Sequence, residues 1–328
     1  MKYRRLGKTD IEVSEISLGT WQVGGKWGSK FDDKKADHII NTAIDNGVNF
    51  IDTADVYENG LSEKAVGRVV NSRSEWIHVA TKCGRQINPH IDEKYQPEIL
   101  KKYVEDSLKR TGLDVLDLVQ LHCPPTDTYY RPEIFEMFDK LKDEGKIRNL
   151  GVSVEKVEEG IKAMQYPNVN TVQIIFNLFR QRPSEVFFSQ AKKNDVGIIV
   201  RVPLASGLLT GKFDENTSFD SDDHRNFNRD GDAFDKGETF AGVDYELGLK
   251  AVEELKKLFP ETKNLAPIAL KWILNFSEVS CIIPGASKVE HVESNLSIYD
   301  LPDLTEEKIE KMNAIYEAYI KPTVHQMW

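Results

Sequence analysis

Cysteine is scarce in this chain, with three residues, Cys83, Cys123 and Cys281, among 328. Their spacing matches neither a disulfide framework nor a zinc motif. Long apolar runs are also lacking: none could cross a bilayer, and residues 1–7 have no apolar core of the kind found in signal peptides. These absences argue against a disulfide-stapled secreted domain and a membrane protein, and they predict a cytoplasmic one.

Positive charge is in the minority. Lys and Arg number 43 against 53 Asp and Glu, which gives a net charge of −10 and a pI near 5.3. An acidic chain disfavours nucleic acids and anionic membranes as partners, so we expect a small-molecule partner instead. Hydrophobic residues make up 40% of the chain and charged residues 29%, as in a globular protein with a substantial core.

Short apolar runs alternate with amphipathic segments along the chain. The runs predicted to be strands are 16–19, 48–52, 77–82, 115–122, 147–153, 171–175, 196–200 and 280–283. The predicted helices are 34–46, 61–70 with Ser62 as N-cap, 97–110, 132–144, 155–164, 183–194, 247–258, 266–275, 288–296 and 306–320. Residues 2–13 are predicted to form a hairpin.

This alternation has no composition break, so it predicts an α/β fold of one domain over residues 1–328. The expected architecture is a (β/α)8 TIM barrel with an N-terminal β-hairpin and extra C-terminal helices. An open doubly wound sheet is the alternative, but its Gly-x-Gly-x-x-Gly fingerprint is absent from the sequence. Segment 212–245 is rich in Asp, Asn, Gly and Phe and shows neither the helical nor the strand periodicity of apolar residues. We therefore expect a long loop over the active face.

Three predicted strands end in side chains that carry chemistry. Asp52, Lys82 and His122 close the runs 48–52, 77–82 and 115–122, and Tyr57 follows one loop after the first. Because the carboxyl ends of barrel strands converge on one face, we expect these four residues to meet there. Taken singly, Asp52 and Lys82 fit a structural ion pair, and His122 fits a hydrogen-bonded core residue.

Together the four residues suit the protonation of an oxygen atom. Tyrosine has a reference pKa of about 10, and a neighbouring ammonium such as Lys82 lowers the pKa by stabilising the phenolate. Asp52 can hold Lys82 charged and in position, and neutral His122 can orient a carbonyl oxygen. Carbonyl reduction needs such a site, with the hydride supplied by a cofactor.

The chain resembles the aldo-keto reductases, NAD(P)H-dependent (β/α)8-barrel enzymes, and most of all their bacterial general-reductase branch. The matching stretches are 18–21, 50–57, 81–82, 121–122, 151–153, 203–212 and 283–286, which together span nearly the whole sequence. The resemblance implies that Tyr57 is the general acid, that Lys82 and Asp52 tune it, and that His122 orients the substrate carbonyl. It implies no metal.

The resemblance also implies NADP(H) as the cofactor. The candidate cofactor contacts are Gly19, Thr20, Trp21, Asp52, Ser153, Gln173, Arg201, Leu204, Ser206, Gly207, Leu209, Lys212, Gly285, Ser287, Lys288, His291 and Asn295. Ser153 and Gln173 match the residues that hold the nicotinamide carboxamide, but Val154 replaces the usual Asn. Ser153 also suits the N-cap of the helix that follows.

Two cofactor positions depart from the family pattern. Arg201 stands where an aromatic ring commonly stacks on nicotinamide; we expect its guanidinium to replace the ring, with a plain salt bridge as the alternative. Lys288 favours NADPH through the 2′-phosphate, although a solvated surface lysine is the simpler interpretation. His291 replaces an Arg found in some members, which leaves NADH open.

Two other functions stay open beside carbonyl reduction. A metal-dependent barrel hydrolase using Asp52 and His122 lacks a His-x-His pair, and Lys82 would repel the cation. A non-catalytic cofactor sensor, such as a channel-associated subunit on the same fold, could retain all four residues. The loops that set the substrate contain Trp21, Trp27, residues 86–95 and 124–130 and segment 212–245; they fix neither the substrate nor the reaction direction. The sequence does not indicate the oligomeric state.

Overall fold

The structure is a computed structural model that describes residues 1–25 and 30–328. Its strands are β1 (Tyr3–Arg5), β2 (Glu12–Ser14), β3 (Leu18–Gly19), β4 (Phe50–Asp52), β5 (His78–Cys83), β6 (Leu116–His122), β7 (Ile147–Ser153), β8 (Val169–Ile175), β9 (Gly197–Arg201) and β10 (Val279–Ile282). Strands β3 to β10 pair in chain order, all in parallel, in one eight-stranded sheet.

Helices follow the barrel strands along the chain. They are α1 (Asp33–Asp45), α2 (Leu61–Ser72), α3 (Pro97–Thr111), α4 (Pro132–Asp143), α5 (Val157–Ala163), α6 (Phe187–Lys193), α7 (His224–Phe227), α8 (Tyr245–Leu258), α9 (Ala266–Leu274), α10 (Val289–Leu296), α11 (Glu306–Ile315) and α12 (Lys321–Val324). Parallel bridges from Ile16 to Ile282 and from Gly19 to Gly285 join the first strand to the last. The predicted (β/α)8 barrel is thereby confirmed.

The N-terminal hairpin closes the bottom of the barrel. Strands β1 and β2 pair in antiparallel fashion, and Leu6, Ile11 and Val13 are buried in one cluster with side chains from inside the barrel. Gly7 adopts a φ of +56°, and a Cβ there would lie 2.1 Å from the amide nitrogen of Gly197 at the start of β9. Only glycine permits this close approach.

Several predicted helix boundaries were wrong for local reasons. Ser62 does not cap α2: the N-cap is Gly60, and the Ser62 hydroxyl donates to the Thr20 carbonyl oxygen at 3.1 Å. Ser153 does not cap α5, which begins only at Val157. The predicted helix 183–194 divides into a 3₁₀ turn at Arg182–Ser184 and α6, because Ser184 and Glu185 bond three residues back.

The C-terminal helix is also less regular than predicted. After α11 the chain widens into a π-turn at Tyr316–Ile320 before α12. Pro322 lies just beyond this turn and has no amide hydrogen to continue the helical ladder. Extra C-terminal helices are therefore present, but not as one continuous element. No helix among the described residues is long and apolar enough to cross a membrane.

Segment 212–245 has more internal structure than a loop without periodicity suggests. It contains α7 and 3₁₀ turns at Lys236–Glu238 and Phe240–Gly242. The Arg225 guanidinium lies 4.5 Å from the Phe219 ring centre. The indole nitrogen of Trp328 donates to the Asp235 carboxylate at 3.0 Å. The segment is held by aromatic, cation–π and polar contacts, which leave no periodic signal in the sequence.

Candidate active site

Asp52, Tyr57 and Lys82 meet at the C-terminal mouth of the barrel. Lys82 is fully buried near the end of β5; its ammonium forms an ion pair with Asp52 and donates to the Thr53 carbonyl oxygen at 2.8 Å. The same ammonium donates to the Tyr57 hydroxyl oxygen at 3.2 Å. The register of the sheet brings Asp52 and Lys82 together. Asp52 pairs with Ala80 on β5, and Lys82 lies two residues beyond Ala80 on the same face of that strand, where it pairs with Gln120 on β6.

His122 completes this group from the end of β6. Its ring lies edge-on to the Tyr57 ring, with 6.0 Å between ring centroids. Burial, then the charges of Arg85 and Lys82, hold its pKa well below the usual range, so the imidazole is neutral. Its Nδ1 atom is buried and has no hydrogen-bond partner among the described residues. A neutral ring at this place can donate to or accept from an oxygen on a bound molecule.

Burial dominates the acidity of Tyr57. It raises the pKa of the phenol above the usual value, and the Lys82 ammonium offsets only part of this. The lowering that the sequence led us to expect from Lys82 is present, but burial outweighs it. Burial also lowers the pKa of Lys82, yet Asp52 and Tyr57 outweigh that effect, and the pKa lies above its usual value. The result is a protonated phenol beside a charged ammonium.

Two glutamines hold the other oxygen of Asp52. Gln120 and Gln173 donate to Oδ2 at 3.0 and 2.8 Å, and Gln173 also donates to the Gln120 side-chain oxygen at 3.0 Å. Gln120 was missed in the sequence. A signal exists, since Gln120 lies two residues before His122 on one strand and therefore shares its face. These bonds fix the carboxylate that orients Lys82.

Asp55 lies two residues before Tyr57 in the chain and is fully buried. Burial, followed by the nearby Glu63 charge, raises its pKa to about 7. Neither carboxylate oxygen has a hydrogen-bond partner among the described residues. This residue lies within the 50–57 motif, but nothing in the sequence indicates its protonation.

Four charged side chains form a second group beside the first, which we call the arginine–glutamate cluster: Arg85, Glu155, Arg201 and Glu238. Arg201 Nη2 donates to Glu155 at 2.9 Å, and its Nη1 lies 3.5 Å from Glu238. The structure therefore shows the salt bridge that was the alternative for Arg201, and stacking on nicotinamide stays a prediction. The other three members were not singled out in the sequence.

The predicted nicotinamide contacts surround the mouth of the barrel. Gly19 ends β3, and Thr20 bonds through both its amide and its hydroxyl to the Asp52 carbonyl oxygen, at 2.9 and 3.0 Å. Ser153 and Gln173 are paired in register on β7 and β8. The Trp21 ring lies 4.8 Å from that of His224 in segment 212–245. Trp27 lies outside the described residues.

The remaining predicted contacts lie on two neighbouring segments. Leu204, Ser206, Gly207, Leu209 and Lys212 lie in or beside the 3₁₀ turn Ala205–Thr210, where Ser206 and Gly207 have φ values of +55° and +95°. Ser206 already donates to the Glu238 carbonyl oxygen at 3.0 Å. Gly285, Ser287, Lys288, His291 and Asn295 lie between β10 and the end of α10. Beside Gly285 the space is open, since an added Cβ would meet no atom within 4 Å.

In the part of the chain that the structure describes, Asp52 and His122 do not belong to a group with metal-ligand spacing. Within residues 1–25 and 30–328, the group with suitable spacing is Cys123, Glu155 and Glu238. The guanidinium groups of Arg85 and Arg201 contact the same two carboxylates, so a cation there would meet two positive charges. This arrangement gives the hydrolase alternative no support.

A parallel (β/α)8 barrel with tyrosine, lysine, aspartate and histidine at its mouth is the arrangement that the sequence resemblance implied, and comparisons with known proteins agree. Residues 15–317 match the model of the Aldo/keto reductase family. The aldo-keto reductase YhdN of Bacillus subtilis is 32% identical over 329 residues, covering 99% of this chain and 96% of that protein. The chain belongs to the aldo/keto reductase family.

Two further relatives extend the comparison. The solved structure of the glycerol dehydrogenase AKR11B4 from Gluconobacter oxydans has 30% identity and a TM-score of 0.79, covering 99% of this chain and 98% of that one. A probable voltage-gated potassium channel subunit beta from Oryza sativa subsp. japonica is 28% identical over 342 residues, covering 98% of this chain and 99% of that protein. The relatives of this chain are thus named for different functions.

Proposed function

We propose that this protein is an NADP(H)-dependent oxidoreductase of the cytoplasm that interconverts an aldehyde or ketone and its alcohol, with Tyr57 as the general acid. The observation that carries the proposal is the 3.2 Å contact between the Lys82 ammonium and the Tyr57 hydroxyl, at the mouth of an aldo/keto reductase barrel. A positive charge beside the phenol stabilises the phenolate that remains once its proton has moved to the substrate oxygen.

Each of the four residues has a separate task in this proposal. The cofactor supplies the hydride. Tyr57 gives its proton to the carbonyl oxygen, and in the reverse direction takes the proton of the alcohol. Lys82 stabilises the phenolate, while Asp52, fixed by Gln120 and Gln173, keeps Lys82 in place. Neutral His122 orients the carbonyl oxygen through a ring nitrogen.

The chain offers suitable groups for the nucleotide. The open space at Gly285 and the N-terminal end of α10, with Lys288 as its N-cap, suit a phosphate group. Lys288 is exposed and is our candidate for the 2′-phosphate of NADPH. Glycines in the 203–212 stretch permit a close backbone approach to the pyrophosphate.

The test is a titration of the purified protein with NADPH and with NADH, followed by quenching of tryptophan fluorescence, since Trp21 lies beside Tyr57 with 6.4 Å between ring centroids. Turnover of NADPH with a panel of aldehydes and ketones, and of NADP⁺ with the matching alcohols, completes it. We expect tighter binding of NADPH and turnover of at least one carbonyl. A folded protein that binds neither nucleotide would contradict the proposal.

A second candidate function is that of a cofactor-binding subunit with little catalysis, which the similarity to a potassium channel subunit beta favours. It predicts nucleotide binding as tight as in the reductase, but no turnover with any carbonyl or alcohol on the panel. The same two measurements therefore separate the two functions.

A further inference from the structure

The arginine–glutamate cluster joins the barrel to segment 212–245. Arg85 follows β5, Glu155 follows β7 and Arg201 ends β9, whereas Glu238 belongs to the segment. Arg85 Nη1 lies 3.3 Å from Glu155 Oε1 and 3.1 Å from Glu238 Oε1. With the Arg201 contacts, each glutamate faces both arginines, so the cluster contains two positive and two negative charges.

The cluster lies next to the proposed reaction centre. Arg201 Nη2 is 3.5 Å from the sulfur of Cys123, the residue that follows His122. Burial and then the Arg85 charge lower the pKa of His122, and Glu238 contributes to the raised pKa of Tyr57 behind burial and Asp52. The two arginines are therefore within electrostatic reach of the carbonyl position.

The two glutamates are held unequally. Glu155 accepts a hydrogen bond from Arg201 Nη2 at 2.9 Å, and its backbone oxygen accepts one from Arg180. Oε1 of Glu238 is buried between two guanidinium groups, yet among the described residues it has no partner with hydrogen-bond geometry. Burial raises the pKa of Glu238, whereas Arg201 and other groups outweigh burial and lower that of Glu155. Glu238 is thus the less firmly held carboxyl group of the cluster, because its Oε1 has no hydrogen-bond partner among the described residues, and it lies on the segment rather than on the barrel.

We propose that Arg85 and Arg201 form an anion subsite of the substrate pocket, that Glu238 fills it in the absence of substrate, and that the preferred substrates are carbonyl compounds bearing a carboxylate. The inference rests on the proposed reductase function. A substrate carboxylate that displaces Glu238 would lie between the same two guanidinium groups, and a free carboxylate can take the bidentate geometry that Glu238 lacks. A neutral substrate has no such group to offer.

The role is compatible with stacking of Arg201 on nicotinamide. A guanidinium stacks through its face and donates through its edge, so one side chain can contact the ring and the carboxylate at once. Arg85 is not a candidate cofactor contact, so the anion subsite is the one role proposed for it. Its side chain is one-fifth exposed, and its guanidinium carbon lies 5.8 Å from the Phe234 ring centre.

The test compares 4-carboxybenzaldehyde with methyl 4-formylbenzoate, a neutral ester of similar shape, as substrates with NADPH. We expect kcat/KM to be at least tenfold higher for the acid. Glu238→Gln should lower the KM of the acid about fivefold relative to that of the ester, because the arginines lose a competing carboxyl group, whereas an effect through Tyr57 would change kcat for both compounds alike. Glu215→Gln is the matched control, since this exposed glutamate lies in the same segment, and it should change neither. Arg85→Gln should abolish the preference for the acid.

A binding measurement makes the result independent of turnover. Calorimetric titration of the Tyr57→Phe variant with both compounds, with and without NADP⁺, should show tighter binding of the acid, and Glu238→Gln should increase the difference. Equal binding of acid and ester, unchanged by Glu238→Gln, would overturn the anion subsite even if the protein reduces other carbonyls. Failure of NADPH to bind would instead overturn the reductase function.

Discussion

The Lys82 ammonium donates to the Tyr57 hydroxyl at 3.2 Å, while burial raises the pKa of that same phenol. The two influences act at different moments of a proton transfer. Burial keeps the phenol protonated beforehand, and the ammonium stabilises the phenolate afterwards.

Replacement of Tyr57 by phenylalanine removes the acidic hydroxyl and keeps the ring. We expect kcat to fall by at least ~100-fold, since general acid catalysis commonly contributes 10²–10⁴-fold, while the Kd for NADPH changes less than about twofold. Steady-state kinetics and fluorescence titration measure the two quantities. Tyr3→Phe is the control, because Tyr3 is 47% exposed and lies in β1 of the N-terminal hairpin. Wild-type kcat in Tyr57→Phe would refute the assignment.

Removal of the Lys82 charge leaves Asp52 buried without its cation. Breaking a buried ion pair on one side costs roughly 3–5 kcal/mol, so we expect a clear fall in the unfolding free energy of Lys82→Met. The double variant Asp52→Asn/Lys82→Met should regain part of it. Urea unfolding followed by circular dichroism measures both. Lys109→Met breaks an exposed pair with Asp106 and should cost under ~1 kcal/mol.

Asp55 should make the protein less stable as the pH rises. Its folded pKa is about 7, whereas an unfolded Asp titrates near pH 4, at about 3.9. Between these values the folded protein keeps a proton that the unfolded chain releases, so stability from this group is present below about pH 4 and is lost as the pH rises through 7, by roughly 4 kcal/mol.

Asp55→Asn removes this loss. The unfolding free energy of the variant relative to wild type should therefore be higher at pH 8 than at pH 5, measured by urea unfolding at both pH values. Asp114→Asn, at an exposed position, is the control and should show no such difference. A relative stability that does not change with pH would show that Asp55 is ionised in the folded protein.

Lys288→Ala should weaken binding of NADPH about five- to tenfold and leave binding of NADH unchanged, because only NADPH carries the 2′-phosphate that a cation can pair with. Fluorescence titration of both nucleotides gives the ratio. Lys257→Ala removes an exposed lysine paired with Glu254 and serves as the control. An equal loss for both nucleotides would assign Lys288 a structural role instead.

The barrel and the tyrosine group could be predicted because both depend on local patterns. Asp52 and His122 end apolar runs and Lys82 lies one residue before the end of β5, and the carboxyl ends of parallel strands meet on one face. The Gln120 contact was missed although its spacing from His122 indicated a shared face. The sequence supplies polar residues on strands, but which of them bond to one another depends on strand register.

The arginine–glutamate cluster could not be predicted in the same way. Glu238 lies in a segment without periodicity, whose position depends on packing between residues far apart in sequence, such as Trp328 with Asp235. The boundary of α2 failed for a related reason: the Ser62 hydroxyl is used by Thr20 and Thr53 rather than by its own helix. Tertiary partners outweighed local preference in both places.

The N-terminal hairpin bears on the route by which a proton could reach Tyr57. Leu6, Ile11 and Val13 fill the lower end of the barrel with apolar groups, which offer a proton neither a donor nor an acceptor. If Tyr57 is the general acid, we expect the proton that restores the phenol after each turnover to enter at the other end of the barrel, where substrate and nucleotide would bind. Substrate, product and protons would then share one entrance, beside segment 212–245, and the rate at which that entrance opens would limit turnover.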